Sequence, residues 1–256
     1  WCMKIGVLLF VTWLSLIALN SDESNFQNLD SKTVLSRLFD NPTFNSKQEA
    51  LWQPNYSERI NMPVSDDGFC HTVLDTALYY TSGNEKQAVL IFATYQYQTG
   101  VRTSCHVCSP LLSIATFRQE DNKGWSIEQF KKDFIGMGAW GDRLGRLGIE
   151  KLGDDFYCLK VQSAVDGNQG YERGITSYYS LNSYDRLNEV FSFVYYDSNE
   201  GAMEDGKGYT EETSLKVMPE EDSYFGIELS SKRTDRKLIV KKKYKYSEEE
   251  ERYISQ

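Results

Sequence analysis

Short runs of alternating apolar and polar residues fill most of this chain, separated by clusters of Gly, Asn and Asp. From Asp66 onward the alternation predicts strands at 69–81, 88–98, 111–118, 156–163, 174–181, 190–197, 224–230 and 237–246. All are rich in Tyr, Phe, Val, Ile and Thr, which suit a pleated, half-buried surface. Turn clusters fall between them, among them Ser82-Gly83-Asn84, Asp166-Gly167-Asn168 and Gly206-Lys207-Gly208. Phe225, Ile227 and Leu229 alternate with polar neighbours, the pattern of a sheet with one wet face. Residues 88–93 are almost wholly apolar and mark the most central strand. Residues 125–134 are ambiguous: Ile127, Phe130 and Phe134 have helical spacing, while Trp125-Ser126-Ile127 suits a strand. Closely spaced strands without a βαβ rhythm predict a mainly β protein of antiparallel sheets, as a sandwich, barrel or curved sheet.

Ahead of Asp66 the texture is polar and turn-rich. One short N-terminal helix is expected there, capped by Asp30 or Ser31, with Val34, Leu35, Leu38 and Phe39 on one face and Asp40-Asn41-Pro42 ending it. A helix this short persists only when docked on the rest of the protein. Further upstream, Met3-Lys4 is followed by an apolar run over 5–19 and then by polar Asn20-Ser21-Asp22. This describes a secretory signal peptide at 3–21, with Trp1-Cys2 as an upstream extension. The run is shorter than a spanning helix needs, so no stable membrane span is expected after cleavage. The organisation read from the chain is thus a signal at 3–21, a polar segment with one helix at 22–66 and a β-rich domain at 67–256.

Composition adds two constraints. With 40% hydrophobic and 14% aromatic residues the chain can build a core. Its net charge of −9 argues against a nucleic-acid partner, since phosphates call for a basic surface. The last strand departs from that balance: Lys237, Lys241, Lys243 and Lys245 share a face around Ile239, with Glu248–Glu251 following. The stripe is either a docking surface or an edge strand guarded by lysines.

Cysteine chemistry follows from export. Cys70, Cys105, Cys108 and Cys158 remain after processing, and an even count in an exported chain reads first as two disulfides, of three possible connectivities. The chain's two histidines, His71 and His106, each directly follow a cysteine. Cys70, His71, Cys105, His106 and Cys108 are therefore also suitable ligands for zinc or copper(I), should a metal be bound. A thiol-redox pair at Cys105-His106-Val107-Cys108 would want a helix N-terminus, whereas Pro110 and a strand follow here. No resident metal and no cofactor are expected.

Other motifs carry less. Gly136-Met137-Gly138-Ala139-Trp140-Gly141 spells a dinucleotide fingerprint but opens no helix, and reads instead as a glycine-rich loop presenting Trp140. Asp197-Ser198-Asn199-Glu200-Gly201 resembles a calcium loop in composition only, and reads as an acidic turn. No catalytic residue can be assigned, and acids of a hydrolase are not readable from linear spacing.

Taken together, Cys105-His106-Val107-Cys108-Ser109-Pro110, Gly124-Trp125, Gly138-Ala139-Trp140-Gly141 and Gln169-Gly170-Tyr171 resemble the motif series of an uncharacterised family of exported bacterial proteins. The resemblance covers roughly residues 68–200. It implies a bacterial exported protein, periplasmic or secreted, whose domain begins near Asp66, and it transfers no activity. Sparse catalytic residue types and abundant Tyr and Trp favour a non-enzymatic binding protein of inhibitor or immunity type, with an unknown protein partner. Trp140 and Tyr171 are the expected binding surface. The alternatives are a metal-binding or thiol-redox protein using the Cys/His cluster, and a hydrolase with unrecognised carboxylates.

Overall fold

The computed structural model describes residues 25–55, 57, 62–105, 108–121, 123–182, 187–204, 206–219, 223–236 and 238–256. The expected leader at 3–21 lies outside these residues, as do His106 and Lys237.

Two antiparallel sheets make up the protein. The elements of the first half are β1 (Asn25–Phe26), α1 (Ser31–Leu38), β2 (Thr43–Phe44), β3 (Ala50–Trp52), β4 (Cys70–Ser82), β5 (Glu85–Tyr95), β6 (Tyr97–Gln98), β7 (Val101–Arg102), β8 (Leu111–Glu120) and β9 (Gly124–Gly136). They form a seven-stranded sheet in the order β1-β9-β8-β5-β4-β3-β2, with β6-β7 as a separate hairpin. The second half holds β10 (Arg146–Lys151), β11 (Tyr157–Gln162), β12 (Asp166–Asn168), β13 (Tyr171–Ser180), β14 (Glu189–Ser198), β15 (Thr210–Met218), β16 (Gly226–Arg233), β17 (Ile239–Ser247) and β18 (Arg252–Ser255). These run in the order β10-β11-β13-β14-β15-β16-β17-β18, with β12 paired onto β13. The mainly β, antiparallel class and the short helix expected from the sequence are what the molecule has.

Alternation of side chains explains the layering. Strand β5 sits fourth of seven and is buried on both faces from Gln87 to Tyr95. Its Ala88, Leu90 and Phe92 join Trp52, Phe117 and the Val34-Leu35 face of α1 in one core. Val89, Ile91 and Ala93 point the other way and pack with Leu159, Val161 and Leu187 in the core between the sheets. The second sheet curls into a half-barrel. Its inner face holds a third core of Cys158, Tyr178, Phe191, Ile227 and Tyr253. Tyr253 closes the curl, since its hydroxyl lies 3.0 Å from the Leu152 carbonyl and 2.9 Å from that of Phe225.

Helix α1 starts where expected. The Asp30 carboxylate accepts from the Thr33 backbone N–H at 2.9 Å, the first-turn bond an N-cap supplies. The segment before Asp66 is not a separate layer: β1 pairs with β9, and β3 pairs with β4.

The ambiguous stretch 125–134 is strand β9. Its helical spacing comes from bulges. Ile127 pairs with Phe117 and Gln129 with Thr116, so Glu128 is an extra residue, and Ile127 and Phe130 fall on the same face three apart.

Candidate functional site

A groove of about 730 Å³ opens where the face of the second sheet runs past the edge of the first. Its floor comes from β13, whose Arg173, Ile175, Ser177 and Tyr179 alternate onto one side. Val161 and Val165 extend the apolar floor, and Asp166 and Glu189 add carboxylates. The wall is the loop after β9, carrying Met137, Trp140 and Leu144. Mixed apolar lining with a few convergent polar groups, at this volume, is the usual make-up of a ligand site. Burial, followed by the charge of Glu189, raises the Tyr179 phenol above its ordinary range, so it stays a neutral donor in the groove.

The wall is held by an unusual turn. Ala139 and Asp142 exchange backbone bonds of 3.2 and 3.0 Å, leaving Trp140 and Gly141 as the two central residues. Both have positive φ, 54° for Trp140 and 79° for Gly141, as a type I′ hairpin turn demands. Gly141 is obligatory: a Cβ there would lie 2.2 Å from the Thr103 carbonyl oxygen. Trp140 gains nothing from such a backbone. A bulky residue in the left-handed region costs on the order of 1 kcal/mol or more, and it persists only where neighbours over-determine it. Yet Trp140 is 56% exposed, so more than half of the residue stands outside any core.

The over-determining neighbour is the cysteine loop. Cys105 and Cys108 form a disulfide. The Trp140 N–H donates to the Cys105 carbonyl at 2.9 Å and the Gly141 N–H to that of Cys108 at 2.7 Å. Two ion pairs brace the far side: Arg143 with Asp75 at 2.7 Å, and Arg102 with Asp142 at 3.0 Å. Arg102 also stacks 3.7 Å above the Tyr95 ring. Two motifs distant in sequence, Cys105–Cys108 and Gly138–Gly141, thus form one unit.

Arg102 connects this unit to a buried polar cluster. It pairs in register with Tyr97, whose hydroxyl donates to Glu49 at 2.8 Å. Asn45 donates to the same carboxylate at 2.7 Å, and the His71 ring lies 3.6 Å from it. His71 also hydrogen-bonds Asp67 at 3.0 Å and stacks on Tyr97 with centroids 4.5 Å apart. Burial alone would raise the Glu49 pKa, but hydrogen bonds from Asn45 and Tyr97, with the His71 ring nearby, outweigh it and hold the carboxyl below its ordinary value.

One expectation for the cysteines needs correction. Only one of the two anticipated disulfides is present, because Cys70 and Cys158 are buried thiols in different cores. Cys70 packs under α1, whereas Cys158 lies inside the half-barrel, where burial and then Glu150 push its pKa far up. Of the residues named as ligands should a metal be bound, His106 lies outside the described residues, and Cys70, His71, Cys105 and Cys108 do not come together. Adjacent positions on β4 send Cys70 and His71 to opposite faces, and Cys105 and Cys108 are bonded to each other. Among the described residues no three His, Cys, Asp or Glu side chains gather as a metal site.

Of the two aromatic residues expected at a binding surface, Trp140 stands on the groove wall. Tyr171 is 58% exposed beyond the floor, at the β12-β13 turn formed by Gln169 and Gly170. Alternation places it on the same face as Arg173 and Ile175. That period-2 series from Tyr171 to Tyr179 was the sequence signal for the floor; nothing linear pointed to Glu49 or Glu189. No protein-family model, curated protein or solved structure matches this chain.

Proposed function

We propose that this is an exported, non-enzymatic binding protein that captures a segment of another protein in the groove beneath Trp140. The supporting observation is Trp140 itself: a large, exposed anchor kept at energetic cost in a left-handed turn by two backbone bonds from a disulfide loop. Strain maintained at an exposed aromatic residue is expected where pre-organisation serves recognition. Tyr171 continues the surface along the β13 face. The disulfide and the absence, among the described residues, of any helix long and apolar enough to cross a membrane are compatible with export. The test is to immobilise the full chain and its W140A variant and challenge both with the exported proteins of the native source. A partner held by the wild type and weakened at least about thirtyfold by W140A is expected, the scale of an interface hot spot. Equal retention by both proteins would sink the reading.

A thiol-redox role is the second reading, favoured by the three-residue separation of Cys105 and Cys108. Closing so small a loop stabilises the fold by only about 2 kcal/mol in the chain-entropy picture, which is little for a structural staple. Titration against glutathione separates the two readings. A structural brace should resist reduction, with a potential below about −300 mV, whereas a redox pair should equilibrate near the glutathione poise.

A further inference from the structure

The β16-β17 hairpin carries a second exposed feature, independent of the groove. Between 232 and 245 the sequence places Lys232, Arg233, Arg236, Lys237, Lys241, Lys242, Lys243 and Lys245 against one acid, Asp235, in a chain of net charge −9. Behind the turn stand Leu238, Ile239 and Val240, exposed by 72, 55 and 41%. Alternation sends Leu238, Val240 and Lys242 to the concave side, and Ile239, Lys241 and Lys243 to the outer side. Aliphatic side chains therefore flare to both faces of the hairpin, with cations behind them on both. Strand β18 pairs with β17 at 244–247 and the Gln256 N–H donates to the Lys243 carbonyl at 3.0 Å, so β18 does not pair with residues 238–240 at the tip.

Some of the charge is internally matched. Lys241 meets Glu228 at 2.9 Å, and Arg233 meets Asp235 at 2.8 Å. Lys242 and Lys243 form no salt bridge among the described residues. Lysines that guard an edge strand account for the charge but not for three consecutive exposed aliphatic residues, which would themselves invite pairing. An acidic protein surface likewise would satisfy the cations and leave the tip in water. A lipid interface takes both: the acyl boundary accepts the tip, and anionic headgroups accept the ring of cations.

We infer that this hairpin docks the protein peripherally on an anionic lipid surface, with Leu238, Ile239 and Val240 entering the headgroup–acyl boundary. Arg236, Lys242 and Lys243 meet the lipid phosphates. The test is co-sedimentation of the full chain with vesicles of phosphatidylcholine alone or mixed with phosphatidylglycerol. The neutral vesicles set the background, including any contribution of the apolar run at 5–19. Binding specific to phosphatidylglycerol and weakened by added salt is expected. K242Q and K243Q should each weaken it about fivefold, and the pair L238S with I239S should abolish it. Each variant alters exposed positions, and an unchanged thermal midpoint verifies its fold. The inference is overturned if phosphatidylglycerol adds no binding, or if the hairpin variants bind like the wild type. Hairpin-dependent dimers forming without vesicles would also overturn it, by making a second copy the occupant.

Discussion

The first sheet buries its central strand on both faces, whereas the second buries one face against the first and curls the other around itself. Different residues follow from that difference. From Ala88 to Ala93, strand β5 fills its two cores with Ala, Val, Leu, Ile and Phe, which leave no polar atom to satisfy. The half-barrel uses tyrosine instead: Tyr178, Tyr224, Tyr244, Tyr246 and Tyr253 gather around its inner face. A tyrosine ring fills space while its hydroxyl needs a partner, so it suits a core with one wet end. Tyr178 donates to Glu150 at 3.2 Å, and Tyr253 reaches two carbonyls. The two-sided sheet supplies rigidity, and the second sheet supplies the groove floor where its buried face runs past the edge of the first.

Substitutions can break this contrast. Phe92 is fully buried and touches Phe39 with ring centroids 5.7 Å apart. F92A should cost about 3–5 kcal/mol in chemical denaturation, as a large core truncation does. Y253F should cost less, about 1–2 kcal/mol, because only a hydroxyl and its hydrogen bonds are lost while the ring still packs. Equal losses for the two variants would show that the half-barrel is as tightly coupled a core as the first sheet, and the contrast would fail.

The smallest effect concerns the margin of the first sheet. The folded Glu49 carboxyl titrates below its ordinary value of 4.5. Its contribution to stability is therefore complete above pH 4.5 and lost as pH falls through the lower folded value. Denaturant midpoints followed downward from pH 5 should drop in the wild type and flatten over that window in E49Q. A parallel decline in both proteins would place the acid sensitivity elsewhere.

Much of the architecture was legible because period 2 survives wherever a sheet is regular. The apolar run at 88–93 identified the centre of the first sheet, and Ile227 and Leu229 identified the inner face of β16. Legibility failed where the backbone departs from regularity. The bulge at Glu128 imitates a helix, because one inserted residue turns a spacing of two into three. Strand β15 was missed because Glu211, Glu212 and Lys216 mask the alternating Thr213, Leu215 and Val217. At the site, Trp140 was visible as an aromatic residue among glycines, and its left-handed backbone was not. The link between Cys105, Cys108 and the Trp140 turn is made by main-chain carbonyls, which carry no residue identity. The pairing of thiols was misjudged for a related reason: parity of cysteine number says nothing about which core each side chain enters.

Strand order has a consequence for how the chain acquires its shape. Strands β13 to β18 are each hydrogen-bonded to their successor, so the half-barrel can close hairpin by hairpin as the chain emerges. Strands β4, β5, β8 and β9 also follow one another across the first sheet. Strand β1 is the exception, since Asn25 and Phe26 pair with Ser126 and Trp125. The earliest described part of the chain must wait for β9 before its register exists, and until then Phe26 is not held in its place against Phe117. Pulsed hydrogen exchange during refolding should accordingly protect β4 and β5 before Phe26, making this seam the last place where the newly made protein remains vulnerable to proteases and to other chains.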